Sequence, residues 1–151
     1  MTLIIRPVTA ADYEAWLPLW QGYQMFYQVA LPAEVTAETW RRFLDPLVPV
    51  YALVAEQDGA LLGLAHYLFH HTTWSIGPYC YLNDLFTSSA ARGRGIGRAL
   101  INAVADRARE AGAARYYWTT HETNLQAQAL YNTLAATDGF LRYRMPLEPQ
   151  A

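Results

Sequence analysis

Short apolar runs alternate along the chain with longer stretches in which apolar residues recur every three or four positions. "TLIIRPV" reads as a first strand ended by Pro7, and Thr9 with Asp12 three residues later marks a helix start. From Tyr13 to Gln28, Trp16, Leu19, Trp20, Tyr23 and Tyr27 fall on one broad helical stripe. A second helix is predicted from Thr36, carrying Trp40, Phe43 and Leu44 until Pro46 and Pro49 stop it. "VYALVAEQDGALLGLAHYLFHH" then gives two β-rich runs joined at Asp58-Gly59, the dipeptide of a tight hairpin. "GPYCYLNDLFT" is the next strand. Arg94 to Ala111 follows as an amphipathic helix, with Ile96, Leu100, Ile101, Val104 and Ala108 on one side and Gly112 as its cap. "ARYYWTT" predicts a strand, "NLQAQALYNTLAA" a helix and "GFLRYRMPL" a closing strand. The order is βααβββαβαβ. An early hairpin and later βαβ-like units imply an α/β (α+β) fold with helices on a mixed sheet. No repeat or linker divides the chain, so one domain over residues 1–151 is expected.

Composition narrows the function classes. With 53% of residues apolar and 16% charged, the chain is globular rather than disordered. A net charge of −2 supplies no general affinity for nucleic acid or an anionic membrane, so any basic site must be local. Every basic residue is arginine, which excludes a lysine nucleophile, a Schiff base and a P-loop lysine. Cys80 stands alone, which points to a reducing compartment, and the histidines show no metal-ligand spacing with it. No stretch is apolar for long enough to be a signal peptide or a membrane span, and a cytoplasmic protein without a metal is the expectation.

The densest chemical signal is "AARGRGIGRAL", in which Gly93, Gly95 and Gly97 alternate with Arg92, Arg94, Ile96 and Arg98 at a helix start. Backbone N–H groups left unpaired there point one way, and the helix dipole adds to their attraction for an anion such as phosphate. Glycine lets that backbone approach oxygen atoms, and arginine adds charge-assisted donors. The dinucleotide fingerprint GxGxxG fails because Arg98 occupies the third glycine position, and Walker A fails for want of lysine.

Arg92-x-x-Gly95-x-Gly97, after the strand "YLNDLFT" and before a helix, resembles the RxxGxG/A signature of the GNAT family of N-acetyltransferases. "YLNDLFTSSAARGRGIG" is similar to the corresponding segment of the diamine (spermidine/spermine-type) acetyltransferases. "NLQAQALY" is similar to the family pattern NxxAxxLY, through Asn124, Ala127, Leu130 and Tyr131. The resemblance runs from "IIRPVT" to "GFLRYRM". It implies a largely antiparallel central sheet with helices on both faces, and acetyl-CoA as cosubstrate. It further implies that Leu85, Phe86 and Thr87 offer backbone groups to the acetyl and pantetheine arm, that residues 93–98 wrap the pyrophosphate, that Asn124 bonds the pantetheine, and that Tyr131 sits near the thioester sulfur. Relatives of this type are often dimers, so a homodimer is expected.

Acetyl transfer to an amine passes through a tetrahedral oxyanion and ends with a leaving thiolate, which a phenol at Tyr131 can protonate. Packing on an amphipathic helix is the alternative for Tyr131, and the NxxAxxLY pattern favours the catalytic role. The amine must also lose a proton, and Asn83 stands where the diamine acetyltransferases have a glutamate proposed as base. Asp84, Glu122 and His121 are the nearby ionisable candidates; the alternative readings are that Asp84 holds a loop N–H and that His121 and Glu122 cap a helix. His66, His70 and His71 read as core or surface residues. The stripe Trp20, Tyr23, Phe26 and Tyr27, with Trp74, Tyr79 and Tyr81, reads as core packing from which a few rings could line a pocket for a cationic amine. The expected acceptor is a small-molecule primary amine such as a polyamine. A protein amino group and a catalytically silent acyl-CoA sensor are the alternatives.

Overall fold

The computed structural model describes residues 2–148, and the chain divides into two compact units, Met1–Thr119 and Thr120–Ala151. The first unit holds a five-stranded sheet in the order β1-β2-β3-β4-β5. Its strands are β1 (Ile4–Pro7), β2 (Val50–Gln57), β3 (Ala60–His70), β4 (Tyr79–Thr87) and β5 (Arg115–Tyr117). All neighbours are antiparallel except β4 and β5. The β2–β3 turn is the one its sequence requires: Gln57 pairs with Ala60, and Asp58 and Gly59 both take positive φ, at 53° and 79°.

Two helices, α1 (Tyr13–Phe26) and α2 (Ala33–Leu44), and then α3 (Ile96–Glu110) pack against this sheet. Trp16, Leu19 and Trp20 of α1 meet Trp40 of α2 and Val54 and Leu64 of the sheet, and all are buried. Trp20 Nε1–H also donates to Thr36 Oγ1 at 3.2 Å, so the burial of its one polar atom is compensated. Near the start of the chain the Asp12 carboxylate accepts from both terminal guanidinium nitrogens of Arg6, at 2.8 and 2.9 Å, and from the Thr9 N–H at 2.7 Å. The α3 stripe of Ile96, Leu100, Ile101, Val104 and Ala108 is buried as its spacing predicts. Gly63 of β3 makes that approach possible, because a Cβ there would lie 2.9 Å from the Phe86 carbonyl oxygen and 3.2 Å from both Ile96 Cγ2 and Leu100 Cδ1.

The second unit contains α4 (Leu125–Tyr131). The closing strand expected over "GFLRYRMPL" does not form, and residues 139–147 have neither helix nor strand. Phe140, Leu141, Tyr143, Met145 and Leu147 are all exposed. A strand exists only when its backbone groups find a partner ladder, and apolar alternation cannot supply one. Among the described residues, no helix is long and apolar enough to cross a membrane.

Candidate active site

Pairing along β4 creates an open strand edge. Tyr79, Cys80 and Tyr81 pair with β5, but from Leu82 to Thr87 only β3 lies alongside among the described residues. Within that stretch His66 pairs with Asp84 while Tyr67 pairs with Leu82, so Asn83 is an extra residue opposite nothing on β3. Such a bulge bends the strand and re-aims its side chains. Beyond it, the Ser88 N–H donates to the Leu62 carbonyl at 2.8 Å, which sets the alternation of the ladder. Phe86, paired with Leu64, therefore directs its backbone groups to β3, whereas Leu85 and Thr87 direct theirs to the open edge. Of the three residues expected to offer backbone groups, Leu85 and Thr87 thus turn theirs to that edge, where the Thr87 carbonyl accepts from Arg92. Phe86 instead turns its ring toward Tyr23, at 6.2 Å between centroids.

The edge leads into the glycine loop. Gly93 and Gly95 have φ of 82° and 76°, with nothing within 4 Å of a Cβ at either, and Gly95 is the residue before α3. Left-handed backbone at Gly95 leads directly into the first turn of α3, whose opening N–H groups have no helical carbonyl before them. Arg92, Arg94 and Arg98 are exposed around this turn. Arg92 Nε–H donates to the Thr87 carbonyl at 3.3 Å, with its guanidinium 5.8 Å from the Phe86 ring and 6.0 Å from that of Phe26. An exposed nest of N–H groups with arginines beside it fits the pyrophosphate of a coenzyme A thioester. The open edge fits its pantetheine amides, as an added strand would.

Asp84 lies at the bulge, its side chain 12% exposed. Its Oδ2 is 2.9 Å from His66 Nδ1, and Asn83 Nδ2 donates to Oδ1 at 3.1 Å. The Tyr23 phenol is pushed far above the ordinary tyrosine range, first by burial and then by the charge of Asp84, to which it hydrogen-bonds. Burial and the same charge push Tyr27 up.

A family model described as the acetyltransferase (GNAT) family matches residues 14–135. The chain belongs to this family. It is 39% identical over 135 residues to the D-amino-acid N-acetyltransferase HPA3 of Saccharomyces cerevisiae, covering 88% of this chain and 84% of that one. It is 34% identical over 82 residues to the thialysine N-epsilon-acetyltransferase of Sus scrofa, an alignment spanning 54% of this chain and 48% of that enzyme. A structure of the aminoglycoside acetyltransferase AAC(6')-Iy with a bisubstrate analogue of coenzyme A shares the fold, with a TM-score of 0.83 at 21% identity over 97% of this chain and all of that one. The protein is thus an acetyl-CoA-dependent N-acetyltransferase.

Within the GNAT sequence pattern, the second unit carries Asn124 and Tyr131, seven residues and so two turns apart on one face of α4. The Asn124 Oδ1 caps the helix by accepting from the Ala127 N–H at 3.2 Å. Tyr131, the last residue of α4, is half-buried. His121 is tied into the preceding turn, its Nδ1 2.7 Å from Thr123 Oγ1. Glu122 is exposed, and its carbonyl accepts from Gln128 Nε2 at 3.0 Å. Among the described residues no group of three or more His, Cys, Asp or Glu could hold a metal ion. Cys80 is fully buried and its thiol is pushed up to about 12 by that burial, so it is a packing residue rather than a nucleophile. The residue that sequence reasoning missed is His66. Its bond to Asp84 crosses between strands 18 positions apart, and no local spacing announces it.

Proposed function

We propose that this enzyme acetylates the primary amine of a small molecule of amino-acid or diamine size. Asp84 takes a proton from the acceptor's ammonium, and Tyr131 protonates the departing thiolate. The observation that carries this reading is the Asp84 carboxylate, held by neighbouring donors at the bulge from which the open β4 edge runs. An anion fixed beside Tyr23 and Tyr27 suits a cationic amine, which the ring faces also attract. The D-amino-acid and thialysine specificities of relatives support an amino-acid amine. The sequence likeness to diamine acetyltransferases supports a polyamine.

The proton count closes. An ammonium of three protons becomes an amide of one; of the two removed, one ends on the coenzyme A thiol and one reaches solvent by way of Asp84. The Leu85 and Thr87 backbone groups orient the thioester arm, and the N–H groups of residues 93–98 with Arg92, Arg94 and Arg98 hold the phosphates. Asn124 bonds the pantetheine. We take residues 1–151 as one catalytic domain, since the family match runs across the division at Thr119 and Thr120. A homodimer is also proposed, supported by the exposed apolar residues of 140–147 and tested by light scattering at micromolar concentration, where a monomer mass refutes it.

The deciding experiment is a panel of amines with acetyl-CoA, read by thiol release: D- and L-amino acids, thialysine, polyamines, an aminoglycoside and a lysine peptide. Turnover confined to the peptide overturns the small-molecule reading. Asp84→Asn and Glu122→Gln then test the base, because the true one loses the low-pH limb of kcat/KM.

A further inference from the structure

A fully buried histidine must satisfy both ring nitrogens, and the way it does so fixes its protonation. His66 is 3% exposed, with the rings of Phe43, Trp20 and Trp16 at centroid distances of 4.6, 5.1 and 5.8 Å. Trp16 Nε1–H lies 3.0 Å from His66 Nε2. An indole nitrogen can only donate, so Nε2 is the bare, accepting nitrogen. The ring hydrogen is then on Nδ1, which donates to Asp84 Oδ2 at 2.9 Å. A neutral imidazole in one tautomer follows from the two contacts together.

We infer that His66 and Trp16 form a positioning pair for the transfer reaction, holding Asp84 as an oriented carboxylate that meets the acceptor's ammonium. The inference rests on the reading of Asp84 given above. In a Ser-His-Asp arrangement the carboxylate orients an imidazole that does the proton transfer. Here the order is reversed. The second imidazole nitrogen is closed by an indole, so His66 cannot take up a proton without breaking a buried hydrogen bond. Exposure agrees, since the carboxylate side chain is 12% exposed and the imidazole 3%. The bulge at Asn83 assists, because the extra residue sets Asp84 rather than Asn83 opposite His66.

The groups that face Asp84 are Tyr23 from α1 and Tyr27 at its C-terminal cap, His66 from β3, and Asn83, with Tyr81 near Tyr23, from β4. Each is neutral or a hydrogen donor, and from α2 the apolar ring of Phe43 lies 4.6 Å from the imidazole. The carboxylate therefore faces donors, of which His66 is fully buried. Removing a hydrogen-bond donor from a carboxylate disfavours its anion.

Two measurements test this. Nitrogen-15 spectra of the histidine-labelled wild-type protein should show His66 as the neutral Nδ1–H tautomer; an Nε2–H tautomer or an imidazolium at neutral pH overturns the pair. In kinetics, His66→Leu should move the low-pH limb of kcat/KM for the amine up by about one pH unit, the scale of one hydrogen bond to a charged group. The KM for acetyl-CoA should stay unchanged and the near-ultraviolet circular dichroism should stay native. His66→Asn, whose amide nitrogen can stand where Nδ1 stood, should restore much of the shift. Asp84→Asn losing the limb while His66→Leu leaves it in place overturns the positioning pair alone. Both variants keeping the limb overturns the assignment of Asp84 on which the pair rests.

Discussion

Replacing Gly63 by alanine adds one methyl group at the junction of sheet, helix and glycine loop. That methyl carbon would stand 2.9 Å from the Phe86 carbonyl oxygen and 3.2 Å from Ile96 Cγ2 and Leu100 Cδ1. Comfortable carbon contacts lie near 3.5–4.0 Å, so all three neighbours must give. The Phe86 carbonyl belongs to the β3–β4 ladder and cannot retreat without lengthening it. Ile96 and Leu100 are 3% and 0% exposed, so neither has free space to rotate into. Overpacking of this kind costs about 1–3 kcal/mol. The backbone of Gly63 is ordinary strand, so no conformational penalty is added. For a chain of 151 residues the Tm should fall by about 3–10 °C. Because Ile96 opens α3, the same wedge displaces the N–H groups offered to phosphate. Acetyl-CoA affinity should drop about 3- to 10-fold, the scale of one weakened charged hydrogen bond. Thermal melts and calorimetric titration of acetyl-CoA measure the two effects. An unchanged Tm refutes the packing argument, and a lowered Tm with full affinity refutes its connection to the loop.

Gly95→Val puts a branched side chain on a residue at φ 76° in the open face of the phosphate nest; acetyl-CoA binding by calorimetry should collapse while circular dichroism stays native, and retained affinity would remove the loop from the site. Tyr131→Phe should lower kcat by about 10²–10⁴ with acetyl-CoA affinity little changed, and full activity on the best acceptor would make Tyr131 a packing residue. Arg6, and less strongly the Thr9 N–H, holds the Asp12 carboxyl down at about 2, against burial that opposes it. Its folded value lies below its unfolded one, so its stabilisation is present above about pH 4 and is lost as pH falls toward 2. Urea melts should show about 1–2 kcal/mol less acid-dependent loss over that window in Asp12→Asn than in wild type, and equal slopes would show the ion pair to be idle.

Local sequence determined those features whose physics is local. Asp58-Gly59 sets the hairpin because both residues accept positive φ, and the α3 stripe sets its buried face because side chains three and four apart share a side. The glycine loop is readable for the same reason: an anion nest needs only consecutive N–H groups and a helix start. Tertiary structure decided the rest. "GFLRYRMPL" alternates like a strand, yet strand formation requires a partner edge that no nine residues contain, and the segment forms none. Phe86 reads like its neighbours, but ladder alternation turned its backbone inward and left the open edge to Leu85 and Thr87. His66 reads as one more core histidine. Only the fold sets an indole from α1 against one nitrogen and a carboxylate from β4 against the other, and those two contacts fix the tautomer that no sequence spacing encodes.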